Sequence, residues 1–397
     1  MTGEERLASA AANLRERCGL GAEPVRGVLS PYRICPIGAH SDHQHGPVLG
    51  TAVNAYTALA FVPTREPVFE VTSDGFEGLL RIDLTRDADG DGPLWTRYAR
   101  GAAALLKERL PAEPIGLRAR VEGTLPGGGL SSSASVVCAY LLALADVNGL
   151  LLAEEELVAL ARRVENEFAG IACGILDPAS IVGSRRGHLL AIDTARSRWQ
   201  PVPLGEGATD VRFLVTFTGI ARNLESTGFN ERVAECVEAA GALGRLAGRQ
   251  EVELLGELSD EVIDVGLQAL PENLARRARH FRTERARVLR GIECWREGDL
   301  ETFGELMSAS CESSINDYET GSPELVRLQE ILLATPGVMG ARFSGAGFGG
   351  CAIAMVRADA ARDATDRVLA TFRGVFPHLA ERSRSFLVES DDGARVV

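Results

Sequence analysis

A glycine-rich segment, LPGGGLSSSASVV starting at Leu125, restricts the fold of this 397-residue chain more than any other feature. It follows a strand-like run, LRARVEG, and leads into an apolar helical run, SVVCAYLLALADVNG. Three successive glycines let the backbone approach a ligand closely, and the serines precede a helix whose free N–H groups attract phosphate. The segment predicts a phosphate-binding loop between a strand and a helix, in preference to a plain turn with serine caps.

The expected anion site is not of the Walker A type, which needs a lysine within the loop. The one lysine of the chain, Lys107, lies elsewhere in the sequence. A phosphate would therefore be held by backbone N–H groups, an arginine and a metal ion. The residues expected to bind the nucleotide here are Pro126, Gly127, Gly128, Gly129, Leu130, Ser131, Ser132 and Ser133.

A second glycine cluster, FSGAGFGGC at 343–351, lies between two apolar strand-like runs. Taken alone, this cluster is as well explained by a tight hairpin as by a binding loop. Paired with the first loop, it suggests a lid over the same ligand. We therefore expect Gly345 and Gly347 to contact the nucleotide.

Strand-like and helical runs are intermixed along the chain with few long strand–helix–strand stretches, which favours an α+β fold over a doubly wound α/β fold. The length favours two domains in one continuous unit. We place the boundary near PVPLGEGATD, so that residues 1–205 form the N-terminal domain and 206–397 the C-terminal domain.

The charge balance argues against two classes of partner. A net charge of −13 disfavours nucleic acid and anionic membranes. One basic stretch, RRARHFRTERARVLR, has helical spacing and is better explained as a solvated helix face than as a polynucleotide site. The chain has no apolar run of membrane-spanning length, and its charged first segment lacks signal-peptide features, so we expect a cytoplasmic protein. Its eight cysteines are scattered and predict free thiols.

Two carboxylates follow the first glycine loop. In ENEFAGIACGILDPAS, Glu165 ends a helical run and Asp177 comes after a glycine-containing loop. Mg²⁺ bound to a nucleotide usually takes few protein oxygens, so Glu165 and Ser133 suit that role. Asp177 is better placed to meet a substrate hydroxyl. For either residue considered alone, an ordinary surface carboxylate remains the alternative.

Three segments together resemble the GHMP kinase superfamily, and the galactokinase branch in particular. They are PYRICPIGAHSDHQHG near the start, PGGGLSSSAS in the first glycine loop, and RFSGAGFGGC in the second. Further similarity lies in EFAGIACGILD, GHLLAIDT, ARRARHF and DYETGSPEL, so it extends over most of the chain. The resemblance implies two α+β domains with the active site in the cleft between them, and ATP and Mg²⁺ as cofactors.

The resemblance also implies roles for single residues. Asp177 corresponds to the catalytic aspartate of the family and Arg33 to its partner arginine. Ser133 and Glu165 correspond to the Mg²⁺ ligands, and Trp95 to the aromatic wall beside adenine. The residues implied to contact the sugar are Ala39, His40, Asp42, His43, Gly174, Arg222 and Phe229.

The signature departs from galactokinases at Ala39, where those enzymes carry a glutamate that accepts a hydrogen bond from the sugar 6-hydroxyl. A sugar with a carboxylate at C6 cannot donate that bond, and two like charges a few ångströms apart repel by about 1 to 4 kcal/mol. Alanine removes the charge and makes room. Within the branch, the segment PYRICP…GAHSDHQ resembles the galacturonokinases of plants.

We therefore expect phosphorylation of D-galacturonate at C1, with the small sugar and ATP as the partners. A galactokinase, or a kinase that tolerates several hexoses and uronates, is the main alternative; a non-catalytic sugar sensor ranks lower. Phe229 in place of a tyrosine agrees with an altered sugar site. Arg222 and His43 are candidates for the cation that faces the carboxylate, and Pro178 replaces a glutamine after Asp177. The oligomeric state, monomer or homodimer, stays open.

Overall fold

The computed structural model describes residues 2–21, 23–87, 92–125, 128–220 and 228–397. In these ranges the strands are β1 (Arg26–Ile37), β2 (Val48–Thr64), β3 (Val68–Ser73), β4 (Leu80–Asp83), β5 (Gly116–Gly123), β6 (His188–Asp193), β7 (Arg198–Pro203), β8 (Val211–Phe217), β9 (Val338–Phe343), β10 (Cys351–Arg357), β11 (Arg384–Val388) and β12 (Arg395–Val396).

The helices of the same ranges are α1 (Gly3–Cys18), α2 (Leu94–Leu106), α3 (Ser132–Val147), α4 (Glu154–Arg163), α5 (Leu176–Gly183), α6 (Phe229–Leu246), α7 (Asp260–Gly266), α8 (Glu272–Glu297), α9 (Leu300–Asn316), α10 (Pro323–Leu333) and α11 (Ala361–Val375). A π-helical turn, Val164–Phe168, directly continues α4. None of the helices in the described ranges is both long and apolar enough to cross a membrane.

The strands form two sheets. The first has the order β12-β1-β2-β5-β3-β4, with β6 paired to β2 and β7 paired to β6. Its pairs are antiparallel except for β3 with β5. The second sheet is antiparallel in the order β11-β8-β10-β9. Strands and helices are therefore mixed as the α+β interpretation predicts, and that fold class is confirmed.

The hydrophobic cores explain how the elements pack. One core lies between the first sheet and α2 to α5. A second core contains residues of both sheets and of α8 and α9, among them Ile34, Leu49, Val288, Phe303 and Ile353. The chain also returns to its beginning, because β12 pairs with β1. The division at residue 205 stays a proposal, and any two domains so defined share this second core.

Strand β1 is long, almost fully buried and irregular. Its pairing with β2 shifts register between Pro31 and Tyr32 and again between Ile34 and Ile37. Prolines cannot donate to a sheet ladder, so Pro31 and Pro36 fit these irregular points. Between them, the N–H of Arg33 donates to the carbonyl of Leu130 at 3.1 Å. The irregular strand thus connects directly to the first glycine loop.

The basic stretch of the sequence lies in α8, and the structure corrects its interpretation as a solvated face. Arg277 is fully buried, and His280 and Glu284 also point into the interior. Arg277 pairs with Glu235 and Glu319. Buried charge is retained only where it is paired. Most of the remaining arginines also have acidic partners, in the pairs Arg276–Glu272, Arg279–Asp317, Arg282–Asp264, Arg285–Asp260, Arg287–Glu284 and Arg290–Glu293.

Candidate active site

A cavity of about 1240 Å³ is lined by residues from β1, both glycine loops, α2, the start of α5 and the start of α6. This is large enough for a nucleotide and a small sugar together. At one end it is lined by Phe76 and Trp95, and at the other by Ala39, His40 and Phe229. Most of the residues predicted from the sequence therefore line one cavity.

Asp177 occupies the first turn of α5 and is held by two partners. Arg33 Nε donates to Asp177 Oδ1 at 2.6 Å, and the Ser131 hydroxyl donates to Asp177 Oδ2. Arg33 also donates from Nη1 to the Gly129 carbonyl at 3.1 Å. Burial lowers the pKa of Arg33, but the charge and hydrogen bond of Asp177 outweigh it, so this pKa ends above its ordinary value. The arginine is a permanent cation beside the carboxylate.

The first glycine loop presents free N–H groups rather than a capped helix. Ser131 precedes α3 with φ +54°, and its side chain makes no capping hydrogen bond. Its hydroxyl instead contacts Asp177. The alternative of a plain turn with serine caps therefore does not describe this loop. Ser132 and Ser133 line the cavity, whereas the Leu130 side chain is buried in the core, and Pro126 and Gly127 lie outside the described residues.

The two glycine loops touch each other through their backbones. Gly129 has φ +82°, and a Cβ added there would lie 2.9 Å from the Ser344 carbonyl and 2.8 Å from Cys351 Sγ. A Cβ on Gly345 would lie 3.0 Å from Gly129 Cα. Only glycine allows this close approach at positive φ. Gly128, Gly345 and Gly347 line the same cavity, so the structure brings together the two segments that the sequence paired.

Ser133 and Glu165 also meet. Ser133 Oγ donates to Glu165 Oε1 at 2.8 Å, and Glu165 is only 3% exposed on the π-helical turn that follows α4. Burial and the nearby charge of Asp177 raise the pKa of Glu165, so a cation here would relieve an unfavourable negative charge. The described residues contain no group of three or more His, Cys, Asp or Glu side chains able to hold a metal. One carboxylate and one hydroxyl fit Mg²⁺ that takes its other ligands from phosphates and water.

Trp95 lies at the far end of the cavity, where it stacks on Phe76. The ring centroids are 5.6 Å apart and the planes differ by 12°. Phe76 is 53% exposed and lines the cavity together with Trp95, so both rings are accessible to a ligand. The sequence analysis missed Phe76, although an aromatic residue in the polar, glycine-containing turn TSDGFEG was an available signal.

Asp42 approaches Asp177 from the turn after β1. Its Oδ2 accepts a hydrogen bond from the Leu176 N–H at 3.2 Å, and burial followed by the charge of Asp177 raises its pKa to about 6. Gly174 makes this approach possible, because a Cβ there would collide with the Asp42 carboxylate. The structure thus brings Asp42 and Gly174 together beside the start of α5, and their contact with a sugar stays a prediction. Pro178 lies in the first turn of α5, a position where proline is tolerated.

The turn that carries Ala39 and His40 is held by residues of α8. Ala39 is 5% exposed and lines the cavity, and its carbonyl accepts a hydrogen bond from His280 Nε2 at 3.0 Å. The preceding Gly38 N–H donates to Glu284 Oε1 at 2.6 Å. Neither His280 nor Glu284 was identified as functional from the sequence, since nothing in a helical pattern shows which strand turn it will meet.

The structure does not support a charged His43 facing the substrate. His43 is buried outside the cavity lining, with Nε2 2.9 Å from Tyr318 Oη and Nδ1 3.2 Å from Gln44 Nε2. Burial lowers its pKa to about 3, so the ring is neutral near neutral pH. Arg222, the other candidate for a cation, lies outside the described residues.

Comparison with known proteins gives consistent results. Residues 97–184 match the GHMP kinases N terminal domain and residues 292–374 the GHMP kinases C terminal family. A galacturonokinase of Arabidopsis thaliana is 38% identical over 398 residues, with 94% of each chain covered. A galactokinase of Homo sapiens is 33% identical over 405 residues, covering 99% of this chain and 97% of its own.

Solved structures show the same similarity. The Lactococcus lactis galactokinase complexed with galactose superposes with a TM-score of 0.88 at 31% identity, covering 98% of this chain and 99% of the other. The Methanococcus jannaschii mevalonate kinase superposes with a TM-score of 0.66 at 18% identity, covering 94% and 99%. The second likeness shows the shared fold alone.

Proposed function

The chain belongs to the galactokinase family of the GHMP kinases, and on that basis we propose that it transfers the γ-phosphoryl group of ATP to the C1 hydroxyl of D-galacturonate. The observation that carries the phosphotransfer assignment is the Asp177 carboxylate. It lies in the cavity beside the first glycine loop, with Arg33 at 2.6 Å and the Ser131 hydroxyl as its partners.

Asp177 is the proposed general base. It takes the proton of the C1 hydroxyl as that oxygen bonds to the γ-phosphorus, and the bond to the β–γ bridging oxygen breaks to release ADP. Arg33 orients the carboxylate through Nε and adds positive charge where negative charge spreads over the transferred group. Its second bond, to the Gly129 carbonyl, fixes the distance between the base and the glycine loop.

The nucleotide and its metal have distinct proposed places in the cavity. Trp95 and Phe76 form an aromatic wall for adenine, and the N–H groups at the start of α3 face the phosphates. Ser133 and Glu165 would hold Mg²⁺, which when bound neutralises phosphate charge. Gly345 and Gly347 would cover the phosphates from the second loop.

The choice of an acidic sugar depends on the surroundings of Ala39. The methyl group lines the cavity together with Cys35, His40 and Phe229. Glu284, whose carboxylate holds the Gly38 N–H, is also bonded to Arg287 and Ser310 and is absent from the described cavity lining. Among the described residues, no carboxylate therefore replaces the glutamate of galactokinases. This supports a substrate that brings its own negative charge to C6.

A kinase for galactose, or for both sugars, is the second candidate. The 33% identity to a human galactokinase favours it. So does the lack of a free positive charge on Arg33 and His43, the described candidate cations at the sugar end. Arg33 is paired with Asp177 and His43 is neutral, so neither offers a free charge to a uronate. Substrate comparison must therefore decide between the two.

A panel of uronates and hexoses, each with ATP and Mg²⁺, tests the proposal. We expect ADP release with galacturonate and a ³¹P NMR signal coupled to the anomeric proton of the product. Asp177→Asn should lower kcat by about 10²- to 10⁴-fold, because only the base is lost. Silence with every sugar would overturn the kinase assignment, and phosphate at another carbon would overturn the C1 assignment.

A further inference from the structure

Three buried histidines surround Tyr318 at the sugar end of the cavity, and we call them the histidine cluster. The ring of His40 stacks on Tyr318 with centroids 4.3 Å apart and planes 10° apart. His280 and His43 lie 5.1 and 6.2 Å from the same ring. The three histidines come from two parts of the chain, the turn after β1 and α8, and Tyr318 comes from the segment after α9.

His43 and His280 are fully hydrogen bonded as neutral rings. The side-chain oxygen of Gln44 accepts a hydrogen bond from the Leu255 N–H at 3.1 Å, so the amide nitrogen of Gln44 faces His43 Nδ1. His43 Nδ1 is therefore an acceptor, and His43 Nε2 carries the proton and faces Tyr318 Oη. His280 Nε2 must carry a proton because it faces the Ala39 carbonyl, and its Nδ1 lies 2.9 Å from Ser313 Oγ. Neither ring has a nitrogen left for a ligand.

His40 is different. It lines the cavity next to Ala39 and is 6% exposed, yet neither ring nitrogen has a hydrogen-bond partner among the described residues. Its backbone adopts φ +62°, which directs the side chain away from the regular path of β1. Neither ring nitrogen is among the fully buried, unpartnered polar atoms of the described residues, so both are accessible from the cavity that His40 lines. The ring nitrogens of His40 are therefore available to form hydrogen bonds with a substrate group in the cavity.

We propose that His40 takes up a proton when a uronate binds, and that the resulting imidazolium pairs with the sugar carboxylate. This inference rests on the proposed function and names the cation that the acidic substrate requires. Galactose carries no charge and would leave the ring neutral. The histidine would thus distinguish the two sugars by its change of charge.

The surroundings of His40 explain why the ring is neutral before the sugar binds. The titratable and charged groups that act on it are His280 of α8, Arg342 of β9, Arg33 of β1 and His43 of its own turn. Burial, followed by the charges of His280, Arg342, His43 and Arg33, lowers its pKa well below the ordinary value. A carboxylate at about 4 Å favours the protonated ring by on the order of a thousandfold. The face of Tyr318 also favours a cation stacked on it.

Isothermal titration calorimetry in buffers of different ionisation enthalpy counts the protons taken up on binding. At the acidic end of the pH range in which the protein is folded, we expect galacturonate to take up more protons than galactose, because only the uronate favours the protonated ring. The difference should vanish as the pH rises. His40→Gln should abolish the difference. His188→Gln, which changes a partly exposed histidine at the start of β6, should retain it.

Equal proton counts for the two sugars, or a difference that survives in His40→Gln, would overturn the role of His40 while leaving the kinase assignment intact. Failure of galacturonate to bind at all would overturn the proposed substrate instead. If His40→Gln does not fold, the wild-type protein still provides a test. One of the six histidine Cε1–H resonances should move to the imidazolium position with galacturonate and not with galactose. Substituting the exposed histidines one at a time, and recording which resonance disappears, then assigns the shifted resonance to His40 by elimination.

Discussion

At the residue scale, the proposed preference for an acidic sugar depends on one missing side chain. Ala39→Glu should lower kcat/KM for galacturonate at least about tenfold more than for galactose, because two carboxylates in the cavity repel each other. Ala39→Gln has nearly the same shape without the charge and is the matched control. Steady-state kinetics of the three proteins on both sugars measure the effect. Equal losses for Glu and Gln would mean that size, and not charge, excludes the uronate.

Asp42, a proposed sugar-binding residue, is expected to lower the stability of the fold. Burial and the charge of Asp177 raise the pKa of Asp42 to about 6. At pH values between the ordinary pKa of an aspartate and this raised pKa, the folded protein therefore binds more protons than the unfolded chain. Raising the pH through that window therefore destabilises the wild type. Asp42→Asn removes this dependence. The free energy of unfolding of the variant minus that of the wild type should therefore increase by about 1 to 3 kcal/mol from about pH 4.5 to about pH 8.

Urea denaturation at the two pH values checks the Asp42 prediction. Asp366→Asn, at an exposed position of α11, controls for the loss of a surface carboxylate. A relative stability of Asp42→Asn that is the same at both pH values would show that the carboxylate is not penalised in the fold. The variant should also bind the sugar more weakly, because Asp42 is proposed to accept bonds from ring hydroxyls.

At the scale of elements, the two glycine loops act as one unit. Gly129→Ala combines positive φ with a Cβ 2.9 Å from the Ser344 carbonyl. It should cost about 1 to 3 kcal/mol more than Gly207→Ala, which has φ +75° but open space around it. Chemical denaturation measures this difference, and the KM for ATP should rise only in Gly129→Ala. Equal behaviour of the two variants would mean that the loops do not depend on their contact.

Elements with a regular pattern could be predicted from the sequence, and irregular ones could not. The apolar run at 51–62 predicts a strand that the structure extends to β2, and LWTRYARGAAALLKERL predicts α2. Strand β1 was missed because Pro31, Pro36 and the following glycine turn interrupt any strand pattern. Helix α5, which carries Asp177, has eight residues and shows too few turns for a helical period.

The residues of the candidate site show the same contrast between what a sequence pattern can predict and what it cannot. Ser133 and Gly129 could be placed near a ligand because glycines and serines before a helix favour phosphate binding, whereas Arg33 was placed by its resemblance to the galactokinase signature. Phe76, His280 and Tyr318 could not, because each depends on a tertiary contact between distant elements. Phe76 lines the cavity beside Trp95, whereas His280 and Tyr318 contact the turn that carries Ala39 and His40. Likewise, the sequence suggests a charge for His43 that burial removes.

At the scale of the whole molecule, the shared core makes the two sheets depend on each other. Ile34 and Leu49 of the first sheet pack in the same core as Ile353 of the second and Phe303 of α9. We therefore expect one cooperative unfolding transition, with both sheets lost together. Differential scanning calorimetry tests this through the ratio of calorimetric to van't Hoff enthalpy. Two resolved transitions would show that the parts on either side of residue 205 fold independently.

The central claim is that an acidic sugar replaces a neutral one because position 39 carries no charge. The most direct test is kcat/KM for galacturonate and for galactose, measured on the same protein with saturating ATP and Mg²⁺. We expect a preference for galacturonate of at least about tenfold. An equal or higher kcat/KM for galactose would contradict it.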